Sequence, residues 1–487
     1  MKTLNRKYGL LTAVCMVVGT VIGSGLFFKA QNVLQATNGN MGQGILAWLI
    51  TGLVMGICAA QFAIMATKFE KVNGVVDYAE ATCGKGYSYY IAWFLTMIYY
   101  PCMTSVLSWV SARYFGVLFG WDLAGPRVMA MAGFFLVASY TINALSPKFA
   151  GKFQISSTVI KLIPIVLMCV VGTVVGLVNG TLTENFASNA IQAIGGGSTG
   201  LFAAIVATVF AYEGWIVATS INAELKDSKK NLPLALIIGS VVVILAYILY
   251  FIGVAGGAST DVLIKDGATK AFSNVFGTVG GTLLNICIVV SCLGTLNGLM
   301  VAATRGMYSI AIRGEGPSPK TFRQVDDVSN MTTNSSVWGL FACSFWLLYF
   351  YGANLAPNGG WFGVFNFDSS ELPIVTIYAF YIPMIIMWIV KAKEENVFRR
   401  FVVPILAVWG CSFMVFAAIY AHGIAPFISA SKQGKFSFPV LFYIIVFAVI
   451  MTVGFLFSSK FKKIVASKKT ESEEIKDVSE NQDAESE

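Results

Sequence analysis

The first long apolar stretch of this 487-residue chain is interrupted near its middle. Tyr8 to Val18 lies on one side, Leu26 to about Ala36 on the other, and Gly19, Thr20, Val21, Ile22, Gly23, Ser24 and Gly25 run between them. Each glycine weakens a helix by roughly 1 kcal/mol relative to alanine, so this cluster predicts a break. A break frees amides and carbonyls where lipid offers them no partner. Unwound backbone at that depth is tolerated only when buried in protein or lining a cavity. A broken span is also the best sequence pointer to the binding site of a membrane carrier.

Composition sets the class. Apolar residues make up 56% and charged ones 12%, against about 25% charged in soluble domains, so a multi-pass, all-α membrane protein is expected. The head, residues 1–7, has no cleavage signature, and the first span should act as an anchor. Apolar runs near the ~20-residue spanning length fall at 8–36 (broken), 43–67, 88–118, 127–145, 154–178 and 200–223 (broken). The second half follows with 233–256, 279–312, 335–352, 371–391, 400–422 and 437–459, giving about twelve spans.

Lysine and arginine in short loops set orientation. With the N-terminus in the cytoplasm, the inside segments hold most of them, from Lys2, Arg6 and Lys7 through Lys68, Lys71 and Lys85 to the cluster from Lys460. The outside segments hold only Arg127, Lys265, Lys270, Lys432 and Lys435, so both termini should be cytoplasmic. The net charge of +8 is this topological bias. No basic soluble face exists, which argues against nucleic acid as a partner. Eight of nine cysteines fall in or beside spans, and Cys83 falls in a cytoplasmic loop, so no disulfide framework is expected. The single histidine, His422, reads as an interfacial side chain at the outer end of span 11. Without a His/Cys/carboxylate cluster at ligand spacing, neither a metal nor a cofactor is implied. The tail, residues 461–487, is polar, lacks aromatics after Phe461 and should be disordered.

A second interruption lies in span 6, where Glu213 and Gly214 split the apolar run within Phe210-Ala211-Tyr212-Glu213-Gly214-Trp215. Breaks in spans 1 and 6 occupy corresponding places in two five-span halves, and an odd number of spans inverts one half relative to the other. Amides around Ile22 to Gly25 would face a carboxylate at the positive end of a half-helix, worth up to ~2 kcal/mol in a partly buried site. Carbonyls at Gly19 to Val21 and at Phe210 to Tyr212 would accept from an ammonium. Such a pocket suits an α-amino acid zwitterion. The competing reading is that these glycines only allow close helix packing, as Gly19 and Gly23 have small-xxx-small spacing.

With these residues in view, the chain resembles the amino acid–polyamine–organocation superfamily. The likeness is strongest to the L-type amino acid transporter branch and its bacterial relatives, which include serine/threonine exchangers. The resemblance rests on Gly19–Phe27, Phe210–Trp215, Glu224–Pro233 and Leu293-Gly294-Thr295-Leu296-Asn297-Gly298, and spans about residues 5–460. It implies a leucine-transporter-like 5+5 inverted repeat with broken helices 1 and 6. The transport core would be residues 8–391, followed by two additional spans within 392–460. It further implies sodium-independent transport by alternating access, commonly as one-for-one exchange. Eukaryotic branch members pair with a glycoprotein through a cysteine between spans 3 and 4. Residues 120–127 here contain none, so no disulfide-linked heavy chain is expected.

Lys161 lies inside span 5, about seven residues from its nearer end. A mid-membrane lysine costs at least ~2.5 kcal/mol on insertion scales and is a functional candidate by default. The resemblance places its amine where sodium sits in sodium-coupled relatives, bridging the span 1 break to span 8 near Thr295. A fixed cation there would replace a coupling ion; a deprotonating one would couple transport to protons. Glu213 has three open roles: holding a substrate cation, pairing with Lys161, or carrying a proton. Tyr212 and Trp215 either shape the pocket or simply pack. Pro233 suits the first turn of span 7, and Glu224, Lys226 and Asp227 are candidates for inner-gate ion pairs. Taken together these features favour an amino acid exchanger in the cytoplasmic membrane, and the resemblance implies small neutral substrates such as serine, threonine or alanine. A proton-coupled amino acid or polyamine symporter is the alternative, and a carrier-fold sensor remains open. No nucleophile–base set supports an intramembrane enzyme.

Overall fold

The computed structural model describes residues 9–68, 74–187, 198–215, 225–326, 331–357 and 360–458. The expected head and tail, Glu224 and the second half of span 6 lie outside these residues. Among the described residues the fold is built of helices, and ten are long and apolar enough to cross a membrane. They are Met41–Lys68, Lys85–Leu118, Pro126–Leu145, Lys152–Val178, Lys229–Gly257, Ala268–Ala311, Thr333–Asn354, Leu372–Lys391, Phe398–Ser431 and Pro439–Leu456. These correspond to expected spans 2–5 and 7–12.

Span 1 is a bent pair. Span 1a (Leu10–Val21) and span 1b (Ser24–Ala36) meet at 47°. Ile22 and Gly23 between them are extended, and span 1b starts without a side-chain cap. Ser198–Tyr212 forms the first half of span 6, and Glu213 and Gly214 turn out of it with Gly214 at φ +106°. Both interruptions therefore fall where the glycines placed them.

Some expectations need correction. Cys83, expected in the loop between spans 2 and 3, ends a nine-residue helix, Val75–Cys83, within that connection. Span 7 is continuous with a helix beginning at Ser228, so Pro233 sits inside it rather than at its first turn. The preceding turn holds that start, since Lys230 and Asn231 N–H both donate to the Asp227 carbonyl at 2.9 Å. Span 8 joins a short preceding helix across Gly277, whose φ of +72° breaks what otherwise runs from Ala268 to Ala311. Span 5 is interrupted at Lys161. Pro164 accounts for this, because it has no N–H to return to the Ile160 carbonyl.

Two ends of the bundle are distinguishable. Leu10, Lys68, Leu145, Ala311 and Lys391 mark one, called the Lys68 end. Ala36, Leu118, Gly257, Glu371 and Ser431 mark the other, called the Glu371 end. Spans 5 and 7 touch almost backbone to backbone, because a Cβ at Gly253 would fall on the Met168 carbonyl and one at Gly256 on the Gly172 carbonyl.

Candidate substrate cavity

The two breaks meet. A Cβ on Gly214 would come within 2.7 Å of the Thr20 carbonyl oxygen, and one on Gly25 within 2.7 Å of Ala211 Cα. Only glycine lets these backbones approach so closely, and Gly214 also needs its left-handed φ. The helix endings thus share one place, with the free N–H groups that open span 1b beside the last carbonyls of span 6.

Part of that polar backbone is already partnered by the chain. Lys161 Nζ donates to the Gly19 carbonyl. Tyr247 Oη lies 2.9 Å from the Val21 carbonyl and 2.8 Å from the Ala211 carbonyl, sharing its one proton between the two breaks. Of the three span 1 carbonyls proposed to meet an ammonium, Gly19 and Val21 are thus engaged, which leaves Thr20. Tyr247 was missed by sequence reading, although a tyrosine halfway along an apolar span is itself a signal. Thr295 packs on the break from span 8, with its Oγ1 3.3 Å from where a Gly23 Cβ would be.

A cavity of about 1150 Å³ surrounds this junction. Of the expected site residues, Gly19, Thr20, Val21, Gly23, Ser24 and Gly25 line it from span 1. Phe210, Ala211, Glu213 and Gly214 line it from span 6, and Lys161 and Thr295 from spans 5 and 8. Ile22, Tyr212 and Trp215 do not. Tyr212 is fully buried and donates to the Trp48 carbonyl at 2.8 Å. Trp215 packs on Phe62 and Tyr381, with ring centroids 5.5 and 6.1 Å away. Both act as packing residues that hold the end of span 6.

Lys161 and Glu213 do not form an ion pair among the described residues; the lysine turns to backbone. Glu213 borders the cavity with its Oε2 buried and without a hydrogen-bond partner. Lys226 and Asp227 likewise form no ion pair among the described residues.

From the breaks the cavity extends to the Lys68 end, where Val75, Ser146, Arg305, Met331 and Thr332 line it. Among the described residues, no loop residue of the Glu371 end lines it, so they leave it open on one side of the breaks and closed on the other. His422, expected as an interfacial side chain, is instead bonded within that closed end: its Nε2 lies 3.0 Å from Glu371 Oε2. Among the described residues no His/Cys/Asp/Glu group is arranged to hold a metal.

A sequence profile of the amino acid permease family matches residues 8–460. The chain is 30% identical over 424 residues to the serine/threonine exchanger SteT of Bacillus subtilis, covering 85% of this chain and 91% of SteT. It is 27% identical over 320 residues to the human cystine/glutamate transporter, spanning 64% of this chain and 62% of that one. Among solved structures, MhsT in complex with L-phenylalanine matches with a TM-score of 0.55 at 13% identity, over 86% of this chain and all of MhsT. That likeness shows a leucine-transporter-like fold. With ten membrane-length helices and one bent pair among its described residues, the chain is a multi-pass membrane carrier rather than an enzyme, and it belongs to the amino acid permease family.

Proposed function

We propose that this carrier exchanges small neutral amino acids across the cytoplasmic membrane, independently of sodium, by alternating access. The observation that carries the reading is Lys161. Its amine donates to the Gly19 carbonyl at the span 1 break, and Lys161 lines the same cavity as Thr295 of span 8, which supports the reading that a tethered cation stands in for a coupling ion. The likeness to a serine/threonine exchanger supports both the exchange mode and the substrate size.

The substrate carboxylate would bind the amides at Gly23, Ser24 and Gly25. Its ammonium would bind the Thr20 carbonyl and the carbonyls ending span 6 near Phe210, with Glu213 and Gly214 as neighbours. Residues 8–391 form the transport core in this reading, and the spans within 392–460 flank it. Both termini are cytoplasmic, so the cavity opens inward. The loop between spans 3 and 4 has no cysteine, in keeping with a carrier that works without a disulfide-linked heavy chain.

One observation favours a second reading. The unpartnered Glu213 Oε2 at the cavity wall suits a proton-carrying group, and hence a proton-coupled amino acid or polyamine symporter. Counterflow in proteoliposomes decides between them. Vesicles are loaded with one unlabelled amino acid at a time and labelled amino acids are added without sodium or a pH gradient. Entry that requires a loaded partner supports exchange. Entry into empty vesicles that appears only when an inward proton gradient is imposed, and is abolished by a protonophore, refutes it in favour of symport.

A further inference from the structure

The Lys68 end holds a second cavity, outside the substrate site. Its volume is about 190 Å³, room for roughly six waters. Its polar wall is Glu80, Lys85, Ser88, Tyr89, Arg313 and Glu315. Glu80 comes from the helix Val75–Cys83, Lys85 opens span 3, and Arg313 lies just past the end of span 8 at Ala311. Span 12 ends beside them: Tyr89 Oη donates to the Gly454 carbonyl at 2.7 Å and Trp93 Nε1 to the Ile450 carbonyl at 2.9 Å.

Three membrane-length helices thus begin or end at this cavity, which puts it where headgroups meet the hydrocarbon layer. Apolar surface is exposed at the same level, on Ile312 after span 8 and on Phe457 after span 12. Phe457 packs on Trp93 with ring centroids 6.3 Å apart.

The wall carries two cations and two carboxylates, so its charges balance. Arg313 is held in place, with Nη2 3.0 Å from Asp77 Oδ1 and Nη1 2.9 Å from the Ser309 carbonyl. A guanidinium has five N–H groups, so donors remain for a ligand. The side chains of Glu80 and Lys85 form no ion pair among the described residues. A simple anion would gain from Lys85 and Arg313 but be repelled by Glu80 and Glu315. A zwitterion satisfies both pairs. In phosphoethanolamine the phosphodiester accepts charge-assisted hydrogen bonds from the cations, and the primary ammonium donates to the carboxylates. A quaternary ammonium has no N–H to donate.

The elements that wall this cavity also wall the substrate cavity. Val75 and Val76 of the short helix and Arg305 of span 8 line the substrate cavity, whereas Glu80 and Arg313 line this one. A headgroup between Glu80 and Arg313 would add to the Asp77–Arg313 pair, which already joins the short helix to the end of span 8.

We infer that this cavity binds the headgroup of an ethanolamine phospholipid, its phosphate at Lys85 and Arg313 and its ammonium at Glu80 and Glu315. The bound lipid braces the mouth of the substrate cavity. The inference rests on the membrane placement of the helices, not on the exchange reading or the substrate.

Native mass spectrometry of the full-length carrier tests it. The protein is released from micelles holding equal amounts of phosphatidylethanolamine, phosphatidylcholine and phosphatidylglycerol with matched chains. The parent should retain the ethanolamine lipid about fivefold over each of the others, the scale of one solvent-accessible ion pair. Glu80→Gln and Lys85→Gln should each remove most of that excess. Glu80 is half-buried and Lys85 exposed, so both variants should fold. Glu80→Lys should turn the preference to phosphatidylglycerol, a reversal that a merely structural role for Glu80 would not produce. Equal retention of the three lipids by the parent overturns the proposal. So does an unchanged ethanolamine preference in the variant that combines Glu80→Gln with Lys85→Gln. Free phosphoethanolamine in large excess should leave the lipid bound; displacement would assign the cavity to a soluble zwitterion and overturn the lipid. Adding the ethanolamine lipid should slow amide hydrogen exchange over residues 75–83 in the parent but not in Glu80→Gln, and no slowing in the parent overturns the brace. None of these readings needs turnover, so they stand apart from the outcome of the counterflow assay.

Discussion

Replacing Gly214 with alanine tests whether the meeting of the two breaks is what builds the site. The residue sits at φ +106°, and a Cβ there would lie 2.7 Å from the Thr20 carbonyl oxygen and 3.3 Å from its carbon. Left-handed backbone costs an ordinary residue roughly 1–2 kcal/mol. Overpacking costs about 1–3 kcal/mol more, and the neighbour here is backbone that cannot rotate aside. The sum is roughly 2–5 kcal/mol, which at about 1.4 kcal/mol per factor of ten disfavours the observed arrangement by some 30-fold to a few thousand-fold. Counterflow and thermal unfolding of the purified carrier should both suffer. Gly133→Ala in span 4 is the control, because nothing lies within 4 Å of its Cβ position. Alanine there should leave transport intact and add about 0.5–1 kcal/mol of helix stability. If Gly214→Ala melts and exchanges like the parent, the breaks do not need this contact and the junction reasoning fails.

Three further expectations follow from the same geometry. Lys161→Met removes a charged donor from the Gly19 carbonyl; at about 1.5–3 kcal/mol for such a bond, exchange measured by counterflow should fall at least tenfold, with no rescue by sodium. Tyr247→Phe removes the one hydroxyl bridging Val21 and Ala211, and the loss of about 1 kcal/mol should appear as a several-fold weaker substrate affinity in a binding titration. Gly253→Ala should lower thermal stability more than Gly133→Ala changes it, because its methyl would fall on the Met168 carbonyl where spans 5 and 7 touch.

The sequence by itself determined the membrane class, nearly every span, and both breaks. These are local properties: a run of apolar residues long enough to cross a bilayer, or glycines dense enough to interrupt a helix, is visible wherever it occurs. Lys161 was legible for the same reason, since a lysine deep in an apolar run is conspicuous; family likeness pointed it toward the span 1 break and Thr295, and the structure gave the Gly19 carbonyl as its partner. Start points were less legible. The helix over Val75–Cys83 and the span 7 start at Ser228 depend on short polar segments with no strong periodicity.

Partners across the bundle were decided only by tertiary structure. Spans that are apolar nearly all round carry little amphipathic signal, so the facing of each helix cannot be read from its own residues. Tyr247 meets the breaks, Trp215 turns into packing rather than the cavity, and Lys161 binds backbone instead of Glu213. The Lys29–Glu371 contact joins residues 342 positions apart, and His422 meets Glu371 only because span 11 packs beside the start of span 10. A buried charge announces that it must have a partner; which partner is settled by how the helices pack.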